Sequence, residues 1–208
     1  MCGIFGSQSF LPINIINKFN IASSQELKNR GPDNFQLWQD QKDGICLGHN
    51  RLSIVDLSDK GNQPMKSFCG RYVITYNGMI YNYLELKKKL ETEKKFNNWI
   101  GASDTEVLLN SFSLIGIEKT LEFVDGMFAL ALWDIKEKEL TLIRDRCGEK
   151  PLFYFLKNKN IFFSSSLNSF YSLDLFDKKL NNKSVELYFQ YGNIPNPSSI
   201  YKNIFKLK

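Results

Sequence analysis

The chain has 208 residues, with 27 Lys and Arg against 22 Asp and Glu for a formal net charge of +5, and four cysteines. That length suits one large domain with a sizeable core and is short for two ordinary ones. The charges are scattered and mixed apart from local clusters such as Lys87-Lys88-Lys89, which a solvated helix face explains better than a nucleic-acid groove. Cys2, Cys46, Cys69 and Cys147 are far apart beside a lone His49, which argues against a zinc site or disulfide framework, and no apolar run reaches the roughly 18 residues of a membrane span. The expectation is a cytoplasmic protein with reduced thiols, no metal, and neither nucleic acid nor membrane as partner.

In chain order, the apolar run after Cys2 predicts a strand over residues 2–8, placing Cys2 at its buried end. A helix is expected within 10–28, stopped by Gly31-Pro32, and strands follow at 35–38, 45–52 and 72–77. Leu84, Leu86 and Leu90 at helical spacing predict a helix over 83–94. Ser103 with Glu106 forms a capping box that opens a second over 104–115. Two hairpins close the pattern, one joining strands 127–134 and 139–144 and the other joining 153–156 and 161–165. Antiparallel strands interleaved with two or three helices make an α+β domain with helices packed on sheets.

Several positions carry chemistry. Removal of Met1 would give Cys2 a free α-amine beside its thiol, a nucleophile with its own base, because such an amine titrates near pH 7.7–8.0 whereas a lysine stays charged. Taken alone, Cys2 reads better as a small residue in a start region, because termini are usually frayed and functionally silent. Arg51 ends a strand with a planar fork suited to a carboxylate ligand, or to a strand-end ion pair. Asn77-Gly78 is either a tight turn or, since a helix pattern follows it, a pair of N–H donors for an oxyanion hole. Asp104 is at least a favourable charge in the first turn of a helix.

Together these residues sit in the motifs MCGIFG, NRGPD, GHNRLSIVD, YNGMIYN, SDTEVLL, DGMFALALWD and RDRCGEKPLFY. In that order they resemble the N-terminal glutaminase half of glutamine-hydrolysing asparagine synthetases, the class II (N-terminal nucleophile) amidotransferases. The resemblance covers residues 1 to about 165. It implies an Ntn-hydrolase fold, a four-layer αββα sandwich of two antiparallel sheets flanked by helices, over residues 1–190. Residues 191–208 are similar to the family's linker toward a synthetase domain.

Carried onto this sequence, the resemblance makes Cys2 the nucleophile and the Asn77 side chain with the Gly78 N–H the oxyanion hole. Arg51 becomes the clamp for the α-carboxylate of L-glutamine, with Leu52, Ile54 and Val55 lining the pocket and Asp104 anchoring the substrate ammonium. Met79 stands where the family has a glutamate that shares this last task, so half of an acidic pair is missing. Losing one charge-assisted hydrogen bond costs about 1.5–3 kcal/mol, a ten- to hundredfold weakening. Asn29 replaces a common His, with altered contacts around the site expected, and Ser166 replaces a common Glu. Hydrolysis of glutamine needs no cofactor. ATP and magnesium would serve only a synthetase domain, whose glycine-rich phosphate loop is absent from this sequence, and that domain or subunit is an expected partner beside a possible homo-oligomer. The competing reading is a degenerate amidotransferase fold that binds or regulates a partner with weak or no glutaminase activity.

Overall fold

A computed structural model describes residues 1–208. Its elements run β1 (Gly3–Gln8), α1 (Ile13–Glu26), β2 (Asn34–Asp40), β3 (Ile45–Arg51), β4 (Met65–Lys66), β5 (Tyr72–Ile80), α2 (Tyr83–Glu93), α3 (Asp104–Ile115), α4 (Ile117–Phe123), β6 (Gly126–Asp134), β7 (Glu139–Arg144), β8 (Phe153–Lys157), β9 (Asn160–Ser164), α5 (Asn182–Tyr191) and β10 (Ile204–Lys206). The strands form a six-stranded sheet ordered β10-β8-β9-β1-β3-β2 and a four-stranded sheet ordered β4-β5-β6-β7, with antiparallel pairing throughout.

Strand alternation sorts the side chains into three cores and hence four layers. Tyr72, Ile74, Tyr76 and Ile80 of β5 point outward onto Leu86 and Leu90 of α2 and Leu108 and Phe112 of α3. Val73 on the other face of β5, with Ala129, Ala131 and Trp133 of β6, meets Ile4, Ile45, Leu47 and Phe163 of the larger sheet. The far face of that sheet carries Phe5, Phe155 and Phe162, which cover Phe19 of α1. The two alanines leave room for the sheets to approach.

Several expectations are corrected. β5 does not end at Asn77 but runs through Gly78 to Ile80, with Gly78 opposite Phe128 of β6, so Asn77-Gly78 is neither a turn nor a strand end. A Cβ at Gly78 would lie 2.5 Å from the Met127 carbonyl oxygen, so the pairing itself requires glycine there. Helices α4 and α5 add to the two or three expected. The stretch read as linker supplies β10, whose Ile204 pairs with Phe155 at the sheet edge. Ser103 Oγ does accept from the Glu106 N–H at 3.2 Å. The Glu106 carboxylate, however, takes the Ile100 and Gly101 N–H groups instead of completing the box, tying down the loop before α3.

Candidate active site

Cys2 precedes β1 by one residue, and because Gly3 pairs with Asn50 it falls beside Arg51 at the end of β3. Its Sγ accepts from the Leu52 N–H at 3.4 Å, and the thiol lies 3.5 Å from the Leu52 carbonyl. The Arg30 Nε–H donates to the Cys2 carbonyl at 3.2 Å. The turn carrying Arg30 can lie against β3 because residue 31 is glycine: a Cβ there would sit 2.1 Å from the Asn50 oxygen. Burial pushes the Cys2 thiol up, against the opposing pull of the Leu52 N–H, the amino terminus and Arg51, so the resting side chain is a thiol rather than a thiolate.

Two bonds tie the sheets together here and set the opposite wall. Thr75 Oγ1–H donates to the Gly48 carbonyl at 3.0 Å, and His49 Nε2 meets the Tyr76 carbonyl at 3.1 Å. Asn77, two residues beyond Thr75 on the same face of β5, is thereby brought to the cleft that holds Cys2. It is buried, and its Nδ2 has no hydrogen-bond partner. Along β5 the N–H groups of Tyr76 and Ile80 point away from β6, to Gln63 Oε1 at 2.7 Å and Asp104 Oδ2 at 3.0 Å. Alternation gives Gly78 the same direction, so its N–H faces the pocket between them. Two donors therefore converge on one cavity.

That cavity, about 150 Å³, is lined by Cys2, Arg51, Asn77, Gly78, Met79 and Asp104, together with Leu52, Ile54 and Val55. All nine residues assigned from the resemblance are thus brought together. Arg51 Nη1 donates to the Ser58 carbonyl at 2.8 Å and Asn62 Oδ1 at 2.7 Å, and Nη2 donates to the Asp56 carbonyl. The segment after β3 wraps the guanidinium and leaves its Nε–H and one Nη2–H for a ligand, a narrower offer than the full fork expected. Asp104 is buried at the start of α3, where its Oδ2 accepts from Tyr76 Oη–H at 2.8 Å and from the Ile80 N–H, and its Oδ1 from the Thr105 N–H at 2.9 Å. Burial pushes its carboxyl up while these three donors hold the charged form. Met79 is half-buried and brings a thioether, and no second carboxylate, to the Asn77 face of β5.

Residue-by-residue transfer missed His49, Gln63 and Lys150, which also line the cavity. Gln63 is buried and bridges the Tyr76 N–H and Thr105 Oγ1, and nothing in the local sequence signals it. Asn29, expected to alter contacts around the site, is exposed, and Ser166 hydrogen-bonds Glu26 Oε1 at 2.8 Å on the far side of the larger sheet.

His49 is fully enclosed and its pKa falls to about 3, chiefly by burial, so it is a neutral structural link rather than an acid or base at neutral pH. Its unfolded-state pKa is higher, so the unfolded chain binds the extra proton and stability falls as pH drops below about 6.5. We expect a loss of about 2 kcal/mol from this group by pH 5. Urea unfolding of the wild type and of His49→Gln between pH 7 and 5 measures it: the wild type should lose more than the variant, and equal losses would remove the assignment.

Comparison with known proteins gives the fold and the family. Two solved structures share the fold, with 83% of this chain covered in each. A glutamine phosphoribosylpyrophosphate amidotransferase from Bacillus subtilis, complexed with ADP and GMP, gives TM-score 0.65 at 19% identity over 43% of its own chain. The allosteric regulatory enzyme of purine biosynthesis gives 0.64 at 20% identity, again over 43% of its chain. The fold is that of the Ntn-hydrolase glutamine amidotransferases.

The glutamine amidotransferase domain family matches residues 1–208, and the chain belongs to that family. It is 40% identical to a putative glutamine-hydrolysing asparagine synthetase 2 of Methanocaldococcus jannaschii, with all of this chain and 42% of that protein aligned. It is 32% identical to asparagine synthetase 3 of Bacillus subtilis strain 168, with all of this chain and 34% of that protein aligned. A Gibberella zeae amidase, chry2, is 34% identical over 72% of this chain and 22% of its own length. The chain therefore spans less than half the length of these curated relatives.

Proposed function

We propose that this chain is the glutaminase domain of a glutamine-hydrolysing asparagine synthetase. The observation that carries the reading is the buried, partnerless Asn77 Nδ2 with the Gly78 N–H, both facing the cavity of the Cys2 thiol. A buried donor without an acceptor is costly and is retained where a ligand supplies the acceptor.

In this mechanism Met1 is removed and the α-amine of Cys2 takes the thiol proton. The sulfur attacks the side-chain amide carbon of glutamine, and the resulting oxyanion is held by Asn77 and Gly78. The amine returns the proton to the leaving nitrogen, ammonia departs, and water attacks the thioester to release glutamate. The free donors of Arg51 take the substrate carboxylate and Asp104 takes the ammonium. No metal enters the hydrolysis. The ammonia would serve ATP- and magnesium-dependent amidation of aspartate in a synthetase domain or subunit, and the setting would be the cytoplasm, in keeping with four free cysteines. No helix is long and apolar enough to cross a membrane.

The test is glutamate release from glutamine by the chain lacking Met1, confirmed by intact mass, against a chain that retains it. Turnover only in the processed chain is expected. Equal turnover in both would overturn the α-amine mechanism, and none in either would favour the binding or regulatory reading that Met79 raises.

A further inference from the structure

Lys150 is the one buried lysine of the molecule, with 6% of its surface exposed, and it lines the same cavity as Cys2. Its backbone is fixed on both sides: its N–H donates to Asp145 Oδ2 at 3.1 Å, and its carbonyl accepts from Arg144 Nε–H at 2.6 Å. Its ammonium has no carboxylate within ion-pair distance and donates only to the Met1 thioether, at 3.3 Å. A thioether is a weak acceptor, and burying a cation against one is unfavourable unless the charge is used.

The position of that contact says what the charge can act on. Met1 is the residue whose loss would create the α-amine of Cys2, and the Lys150 ammonium that contacts the Met1 thioether lines the same cavity as Cys2, so the charge and the new amine would face one cavity. We propose, building on the glutaminase reading, that Lys150 is a positioning residue whose buried ammonium holds the α-amine of processed Cys2 in its neutral, proton-accepting form. A nearby positive charge disfavours protonation of an amine, and a partly buried pair is little screened by salt.

The other charged or titratable groups around this amine are the Cys2 thiol, Arg30 before β2, His49 and Arg51 on β3, Asp56 on the segment after β3, Tyr76 on β5 and Asp104 on α3. His49 is neutral, and Arg51 and Asp104, whose hydrogen-bond partners are uncharged, act on Cys2 with opposite signs. Lys150 is the cation that contacts the Met1 thioether and has no carboxylate within ion-pair distance. The thiol, pushed up by burial, stays protonated at rest, so a neutral amine beside it is the pair the attack requires.

The experiment labels the processed chain with [¹⁵N]cysteine. Cys2 alone then carries an amine nitrogen, and its shift reports protonation directly, without reference to turnover. The wild-type midpoint should fall below the ordinary terminal value of about 7.7–8.0. In Lys150→Met it should rise by roughly half to one unit, and in Lys150→Arg it should stay near the wild type. The acid limb of kcat/KM for glutamine should move by the same amount.

A wild-type midpoint at or above the ordinary range overturns the proposal without any variant, which covers the case of Lys150→Met failing to fold. An unchanged midpoint in folded Lys150→Met, or a Lys150→Arg chain that follows Lys150→Met, overturns it too. A lowered, Lys150-dependent midpoint in a chain that releases no glutamate upholds the electrostatic assignment while rejecting the glutaminase reading, so the two failures are distinguishable.

Discussion

Asn77→Ala is expected to lower kcat for glutamine hydrolysis about 100- to 1,000-fold while leaving KM within a few-fold, and Cys2→Ala to reduce glutamate release to background. The asymmetry between kcat and KM follows from when each donor is used. A planar amide oxygen needs little from Asn77, whereas the oxyanion formed on sulfur attack carries a full charge inside a cleft with little water, where one preorganised donor contributes about 3–4 kcal/mol. Asn77 can be tested without collapsing the site, because its Nδ2 has no partner to lose and Thr75–Gly48 and His49–Tyr76 still hold the sheets together. Steady-state kinetics with intact-mass confirmation of Met1 removal checks both variants. A rise in KM with unchanged kcat in Asn77→Ala would place that side chain on bound substrate and not on the transition state.

The fold was legible where a local pattern coincides with its tertiary consequence. β6 and β7 alternate or run apolar and are joined by a short polar turn, and they pair as read, from Asp134 opposite Glu139 onward. α3 announced itself through Ser103 and its apolar spacing. Elements that depend on distant partners were not legible. β10 is three residues long and exists because β8 offers an open edge, and nothing in Ile204–Lys206 marks it apart from a tail. Asn77-Gly78 is a turn signal by local rules, yet nine residues of β5 pair continuously with β6 and override it.

The site divides the same way. That Cys2, Arg51, Asn77 and Asp104 meet in one cavity could be expected from the motifs that carry them. Their supports could not. The carbonyls of Asp56 and Ser58 that occupy Arg51, and the Gln63 bridge between β5 and α3, are made by loops whose sequence would serve many other conformations equally well.

Asp104→Asn should raise KM for glutamine by about ten- to hundredfold with a smaller effect on kcat, and Met79→Glu should lower KM by a similar factor. Both follow from the charge count of the pocket. Asp104 is the one acidic group aimed from α3 at the Asn77–Gly78 stretch, and Met79 offers a substrate ammonium no charge. Asparagine keeps an acceptor oxygen for Tyr76 and Ile80 and so removes charge with little change of shape. A charge-assisted hydrogen bond is worth about 1.5–3 kcal/mol, which sets the factor in each direction.

A glutamine analogue lacking the α-amine makes the assignment specific. It should be hydrolysed with nearly the same KM by the wild type and Asp104→Asn, and should gain nothing from Met79→Glu, since it has no cation to satisfy. Met79→Glu improving both substrates equally would mean that the new carboxylate acts through the fold. No gain on glutamine in a folded Met79→Glu chain would mean that position 79 does not reach the ammonium. With the gain confined to glutamine, Met79 is the residue that sets how tightly this pocket holds its substrate, acting on binding while the nucleophile and its oxyanion donors remain intact.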